Sequence, residues 1–133
     1  MKLDPNWESM AVSAEEAVAH IKSGMKVFIH GAAATPTPLL IALCKQKNLE
    51  NVYLYHLHLS GEIPFADPSQ QGRFFSVSLF TGEALRRPIE EGRADFMPIF
   101  LADIPKLFYH GTIQLDAALV QLSPPDRHGF CTL

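Results

Sequence analysis

The residue types best suited to chemistry gather in a few stretches. His30-Gly31-Ala32-Ala33-Ala34-Thr35-Pro36-Thr37-Pro38 joins an apolar β-type run to a helical one. Small residues let a ligand approach the backbone, and a helix N-terminus favours anionic groups. The same residues equally serve a tight turn that admits close helix packing. The pattern is neither GxGxxG nor a Walker loop, so it specifies no dinucleotide or NTP. His56 and His58 stand at i and i+2 and share a strand face if the strand extends that far, with Glu62 and Asp67 following. One HxH without a third ligand at fixed spacing is weak evidence for a metal, and none is expected. Glu62 is the carboxylate best placed for pocket chemistry, weighed against a solvated loop acid.

Two further sites complete the chemical inventory. In Ser123-Pro124-Pro125-Asp126 the prolines stiffen a strand exit, and Asp126 can accept backbone N–H groups or polarise His128. Nothing there resembles a nucleophile elbow, so a hydrolytic Ser–His–Asp set is not expected. Cys44 lies among Leu39, Leu40, Ile41 and Leu43 and reads as a core thiol rather than a nucleophile. No residue of the chain is therefore assigned as catalytic.

Alternating elements position these residues. Ser13-Ala14-Glu15-Glu16 is a capping box, opening a helix whose stripe is Ala14, Ala17, Val18 and Ile21 and which Gly24 stops. Strands are expected at 25–30, 51–58, 75–80, 94–101 and 116–122. Helices are expected from Leu39 to about Lys47, with Thr37 as cap and Pro38 as first residue, at 82–92 despite Pro88, and at 104–110 with Asp103 as cap. The loop 59–72 is long enough to be functional or mobile. Near-continuous apolar strands alternating with helices imply an open, mostly parallel sheet with helices on both faces. A last strand is expected to begin at Phe130 and to stop at Leu133, as in a domain cut short.

Composition bounds the class. The chain has 133 residues, 47% hydrophobic and 19% charged, with a formal net charge of −3. That suits one domain with a real core and excludes a disordered tail. Mild acidity without a Lys/Arg run argues against a nucleic-acid binder. No apolar run reaches the ~18 residues of a membrane span, and the N-terminus shows no secretory signal pattern, so a cytoplasmic location is expected. Two cysteines make no disulfide framework.

Taken together, the stretches VFIHGAAATPTPLLIAL, NVYLYHLHLSGE, GRFFSVSLFTGEALRRPIEEGRADFMPIFLADIPKLF and LDAALVQLSPPDRHGFCTL resemble the N-terminal part of the acetyl-CoA hydrolase/CoA-transferase family. Among its members the chain looks most like 4-hydroxybutyrate CoA-transferases. It departs from the family pattern at Ser76-Val77 and at Arg127. The resemblance implies residues 1–133 as an incomplete N-terminal domain facing a second one across the active site. It implies CoA transfer between an acyl-CoA and a small carboxylic acid by a ping-pong route through a glutamyl-CoA thioester, with coenzyme A as substrate and no cofactor. The nucleophilic glutamate belongs to the second domain, and no residue here matches its motif. On this reading Gly31, Ala32, Ala33, Ala34, Thr35 and Pro36 form a wall of the acyl/pantetheine pocket, Thr35 offering a hydroxyl donor, with Glu62, Ser123 and Asp126 near it.

Two functions follow. The first is the N-terminal segment of a CoA-transferase, its partners being acyl-CoA, a small carboxylate, the remaining C-terminal domain and, in a homodimer, a second copy. The isolated 133-residue stretch would then be inactive. The second is a stand-alone CoA-binding or assembly module of the same fold that does no chemistry.

Overall fold

In the computed structural model, which describes residues 6–133, five strands form one sheet. Residues 1–5, part of the stretch read for a secretory signal, lie outside the described residues. The strands are β1 (Lys26–Ile29), β2 (Val52–His56), β3 (Phe74–Ser78), β4 (Ala94–Phe96) and β5 (Ala117–Leu119). Every pairing is parallel and the order is β4-β3-β2-β1-β5. The helices are α1 (Trp7–Met10), α2 (Ala14–Val18), α3 (Thr37–Lys45), α4 (Glu83–Glu90) and α5 (Ile104–Tyr109).

Strand alternation explains the two layers. Val27, Ile29, Val52, Leu54 and Phe74 pack on one face with Val18, Leu40, Leu43, Phe65 and Leu85, which come from α2, α3, the β2–β3 connection and α4. Phe28, Tyr55, Phe75 and Val77 point the other way, to Leu107 and Phe108 of α5 with Ile113 and Leu115. The chain steps outward from β1 to β4 with its connections on the first face. It then returns across the sheet to β5 with α5 on the second, as a constant crossover hand requires. The expected parallel sheet with helices on both faces is therefore present, with unequal cover.

Local differences from the sequence reading have identifiable causes. The Ser13 capping box forms, its hydroxyl accepting from Glu16 N–H and the Glu16 carboxylate from Ser13 N–H. However, α2 ends at Val18 and Ala17 is exposed. Helix α3 starts at Thr37 with Pro36, not Thr37, as its cap, because the Pro36 carbonyl accepts the Leu39 and Leu40 N–H groups. Pro88 lies inside α4, buried two residues before the helix ends at Glu90, so it removes one helical N–H near the terminus, and its own carbonyl accepts from Arg93 N–H. Asp103 caps α5 by position only, since its carboxylate pairs with Lys106 at 2.7 Å.

The strands are shorter than their apolar runs. β4 leaves the ladder after Met97 N–H donates to Ser78 O, where Pro98 has no N–H to continue. β5 keeps only three residues. The loop 59–72 is organised by 3₁₀ turns at Pro64–Ala66 and Pro68–Gln70, the first burying Phe65. Residues 130–133 form no sheet strand. They fold back on the preceding segment, Ser123 N–H donating to Thr132 O and Asp126 N–H to Phe130 O, both at 2.9 Å.

Candidate functional site

The carboxyl ends of parallel strands, at the point where successive connections diverge, are where open α/β sheets bind ligands. Here that point lies between β1 and β5, joined just beyond β1 by His30 N–H donating to Leu119 O at 2.9 Å. Gly31–Pro36 leaves β1 at this end and leads into α3.

The loop is built against the segment after β2. Ala32 N–H donates to His58 O at 2.9 Å, and Ala32 forms an isolated parallel bridge with Leu59. Ala32 takes a left-handed φ of 52°, which non-glycine residues adopt uncommonly. Thr35 Oγ1 donates to Ala32 O at 2.8 Å and accepts from Ser60 N–H at 3.1 Å. This corrects the expectation that Thr35 offers its donor to a ligand: the one hydroxyl proton is held by the loop's own carbonyl. Ala33 is exposed, Pro36 is buried, and Gly31, Ala32, Ala34 and Thr35 are half-buried.

His56 and His58 do not share a face, because β2 ends at His56. His58 is exposed and meets the Phe80 ring edge-on at 5.7 Å. His56 is fully buried, its Nε2 lying 2.7 Å from Ser76 Oγ and its Nδ1 bonded to the carbonyl of Leu57. A carbonyl only accepts, so Nδ1 carries the proton and Nε2 accepts from the Ser76 hydroxyl. Burial pushes the imidazole down to about 4, against a smaller upward effect of the Leu57 hydrogen bond. Among the described residues no three His, Cys, Asp or Glu side chains gather as a metal site would need.

The other candidates lie apart from this framework. Glu62 is exposed in the loop that follows Ser60 and Gly61. Ser123 and Asp126 are exposed in the fold-back segment. Both N–H groups of His128 and Phe130 donate to Asp126 Oδ1, at 2.8 and 2.9 Å, so Asp126 is a turn acceptor as expected, and His128 instead meets Arg127. Cys44 packs against the main core, and burial pushes its thiol up to about 11, with a smaller opposing pull from Arg73, which suits a core role.

Two features escaped the sequence reading. A cavity of about 440 Å³ lies on the α5 face, lined among others by Phe28, Leu57, Ile104, Phe108 and Ala118; alternation in β1 and the IPKLF run were its only signal. Buried polar atoms without a protein partner include His30 Nδ1, Ser78 Oγ and Thr81 Oγ1, all at or just past the carboxyl ends of β1 and β3. No residue pattern marks such orphan atoms in advance.

The sequence profile of the acetyl-CoA hydrolase/transferase N-terminal domain matches residues 1–133. The chain is 48% identical over 132 residues to the succinyl-CoA:acetate/propanoyl-CoA:succinate CoA transferase of Fasciola hepatica, covering 97% of this chain and 27% of that protein. It is 32% identical over 133 residues to the 4-hydroxybutyrate coenzyme A transferase of Clostridium kluyveri, covering 99% and 31%. Among solved structures, RipA from Yersinia pestis superposes with a TM-score of 0.79 at 25% identity, covering 91% of this chain and 31% of RipA. The 4-hydroxybutyrate CoA-transferase of Porphyromonas gingivalis gives 0.69 at 27% identity, covering 95% and 29%. This chain belongs to the acetyl-CoA hydrolase/transferase family and has the fold of its N-terminal domain. It spans less than a third of the length of these relatives. No helix among the described residues is long and apolar enough to cross a membrane.

Proposed function

We propose that this chain is the N-terminal domain of a CoA-transferase and that its Gly31–Pro36 loop forms one wall of the acyl/pantetheine pocket. The observation that carries the reading is the family match over residues 1–133, in a chain whose small-residue loop stands at the switch point of a parallel sheet. Glu62, Ser123 and Asp126 belong to the rim on this reading, being exposed and on segments that leave the same ends of β2 and β5.

The chemistry then needs a second domain. A glutamate carboxylate of that domain attacks the acyl-CoA carbonyl and expels the CoA thiolate, leaving an acyl-glutamyl anhydride. The thiolate attacks the glutamyl carbonyl and releases the first carboxylate, forming a glutamyl-CoA thioester that the acceptor acid resolves by the reverse steps. Coenzyme A is thus substrate, and no cofactor enters. The greater identity to a relative named for succinate, acetate and propanoate than to one named for 4-hydroxybutyrate supports short mono- and dicarboxylates as the substrate class.

Borohydride reduction of the protein carrying both domains, after incubation with succinyl-CoA, tests this. The expected reduced glutamate maps outside residues 1–133. Reduction at Glu62 would place the nucleophile in this domain and overturn the reading.

A further inference from the structure

The regular ladder of β2 stops at His56, which pairs with Ile29 of β1 and Ser78 of β3. The backbone beyond it must nevertheless be aimed with care. The His58 carbonyl has to meet Ala32 N–H, and Ser60 N–H has to reach Thr35 Oγ1. The peptide group between the ladder and these contacts is that of Leu57, and its carbonyl is bonded to the imidazole of the last ladder residue. The ring is fixed from its other side by the Ser76 hydroxyl at 2.7 Å, on the neighbouring strand, and lies 6.0 Å from the Phe65 ring.

We propose that His56, held by Ser76, is a positioning residue: its Nδ1–H fixes the Leu57 peptide and thereby the His58–Ser60 backbone on which the Gly31–Pro36 loop is built. Its buried nitrogens form a relay from the sheet interior to the candidate pocket wall. The catalytic importance of that relay rests on the pocket reading above, whereas the mechanical coupling does not.

Two substitutions separate positioning from simple filling of a buried polar space. Asparagine places its amide near the position of Nδ1, and glutamine near that of Nε2. In the protein carrying both domains, His56→Gln should raise amide deuterium uptake in a peptide covering residues 30–37 more than His56→Asn does. It should also raise the KM for acyl-CoA by the larger factor, about tenfold, as small misplacements of a binding wall do. Equal effects of the two variants, or a larger effect of His56→Asn, would overturn the proposal. Faster exchange with an unchanged KM would support the coupling while rejecting the loop as a pocket wall. If neither variant folds, Ser76→Ala decides: extra uptake concentrated in residues 30–37 supports the relay, and uptake at the wild-type level or spread evenly over the domain overturns it.

Discussion

Gly31 sits so close to the backbone of His58 that a β-carbon there would lie 2.6 Å from the His58 carbonyl oxygen. That oxygen is also the acceptor for Ala32 N–H. The only residue that fits beneath the carbonyl is one without a side chain, and the approach fixes the height of the whole loop over β2. Gly31 is therefore required by packing rather than by a left-handed backbone, since the glycines with positive φ lie elsewhere, from Gly24 to Gly129.

Gly31→Ala should push the loop away from the β2 end. The displaced element is backbone on both sides, so relief is costly, and a loss of about 1–3 kcal/mol is expected, the usual range for overpacking. Thermal denaturation measures it, alongside the KM for acyl-CoA, which should rise. A melting temperature equal to that of the wild type would show that the contact yields freely.

Acid should weaken the domain through His56. Its folded-state value of about 4 lies below the ordinary 6.5, so the unfolded chain binds the proton more readily. The stability contributed by a neutral His56 is fully present above pH 6.5 and declines as pH falls from there to about 4. Complete loss amounts to something on the order of 3 kcal/mol at 1.36 kcal/mol per pH unit. Urea unfolding at several pH values should show this slope, and His56→Gln should flatten it between pH 6.5 and 4. An equally steep slope in the variant would assign the acid sensitivity to other groups.

Much of the fold was legible because local signals agreed with one another. Ser13 and Glu16 make the capping box their spacing announces, and Val27 and Ile29 bury on one face with Phe28 on the other. Strand ends were not legible, because apolar runs outlast hydrogen-bonded ladders: Pro98 stops β4, and β2 stops two residues before His58. The terminal stretch misled because Phe130-Cys131-Thr132-Leu133 has strand composition, yet Asp126 and Ser123 bind its backbone into a fold-back. At the candidate site, the position of Gly31–Pro36 could be read from the strand-loop-helix order. The closure of Thr35 on Ala32 and the burial of His56 against Ser76 could not, because each depends on a partner from the tertiary fold.

The measurement that reaches the central claim most directly is the kinetics of Ala33→Val in the protein carrying both domains. Ala33 is exposed on the loop, so a valine there meets solvent rather than core and should leave the melting temperature nearly unchanged. If the loop walls the acyl/pantetheine pocket, the added methyl groups narrow it, and the KM for acyl-CoA rises or turnover is lost. A fall in melting temperature with normal kinetics for the folded enzyme would contradict the account and leave Gly31–Pro36 as a packing turn alone.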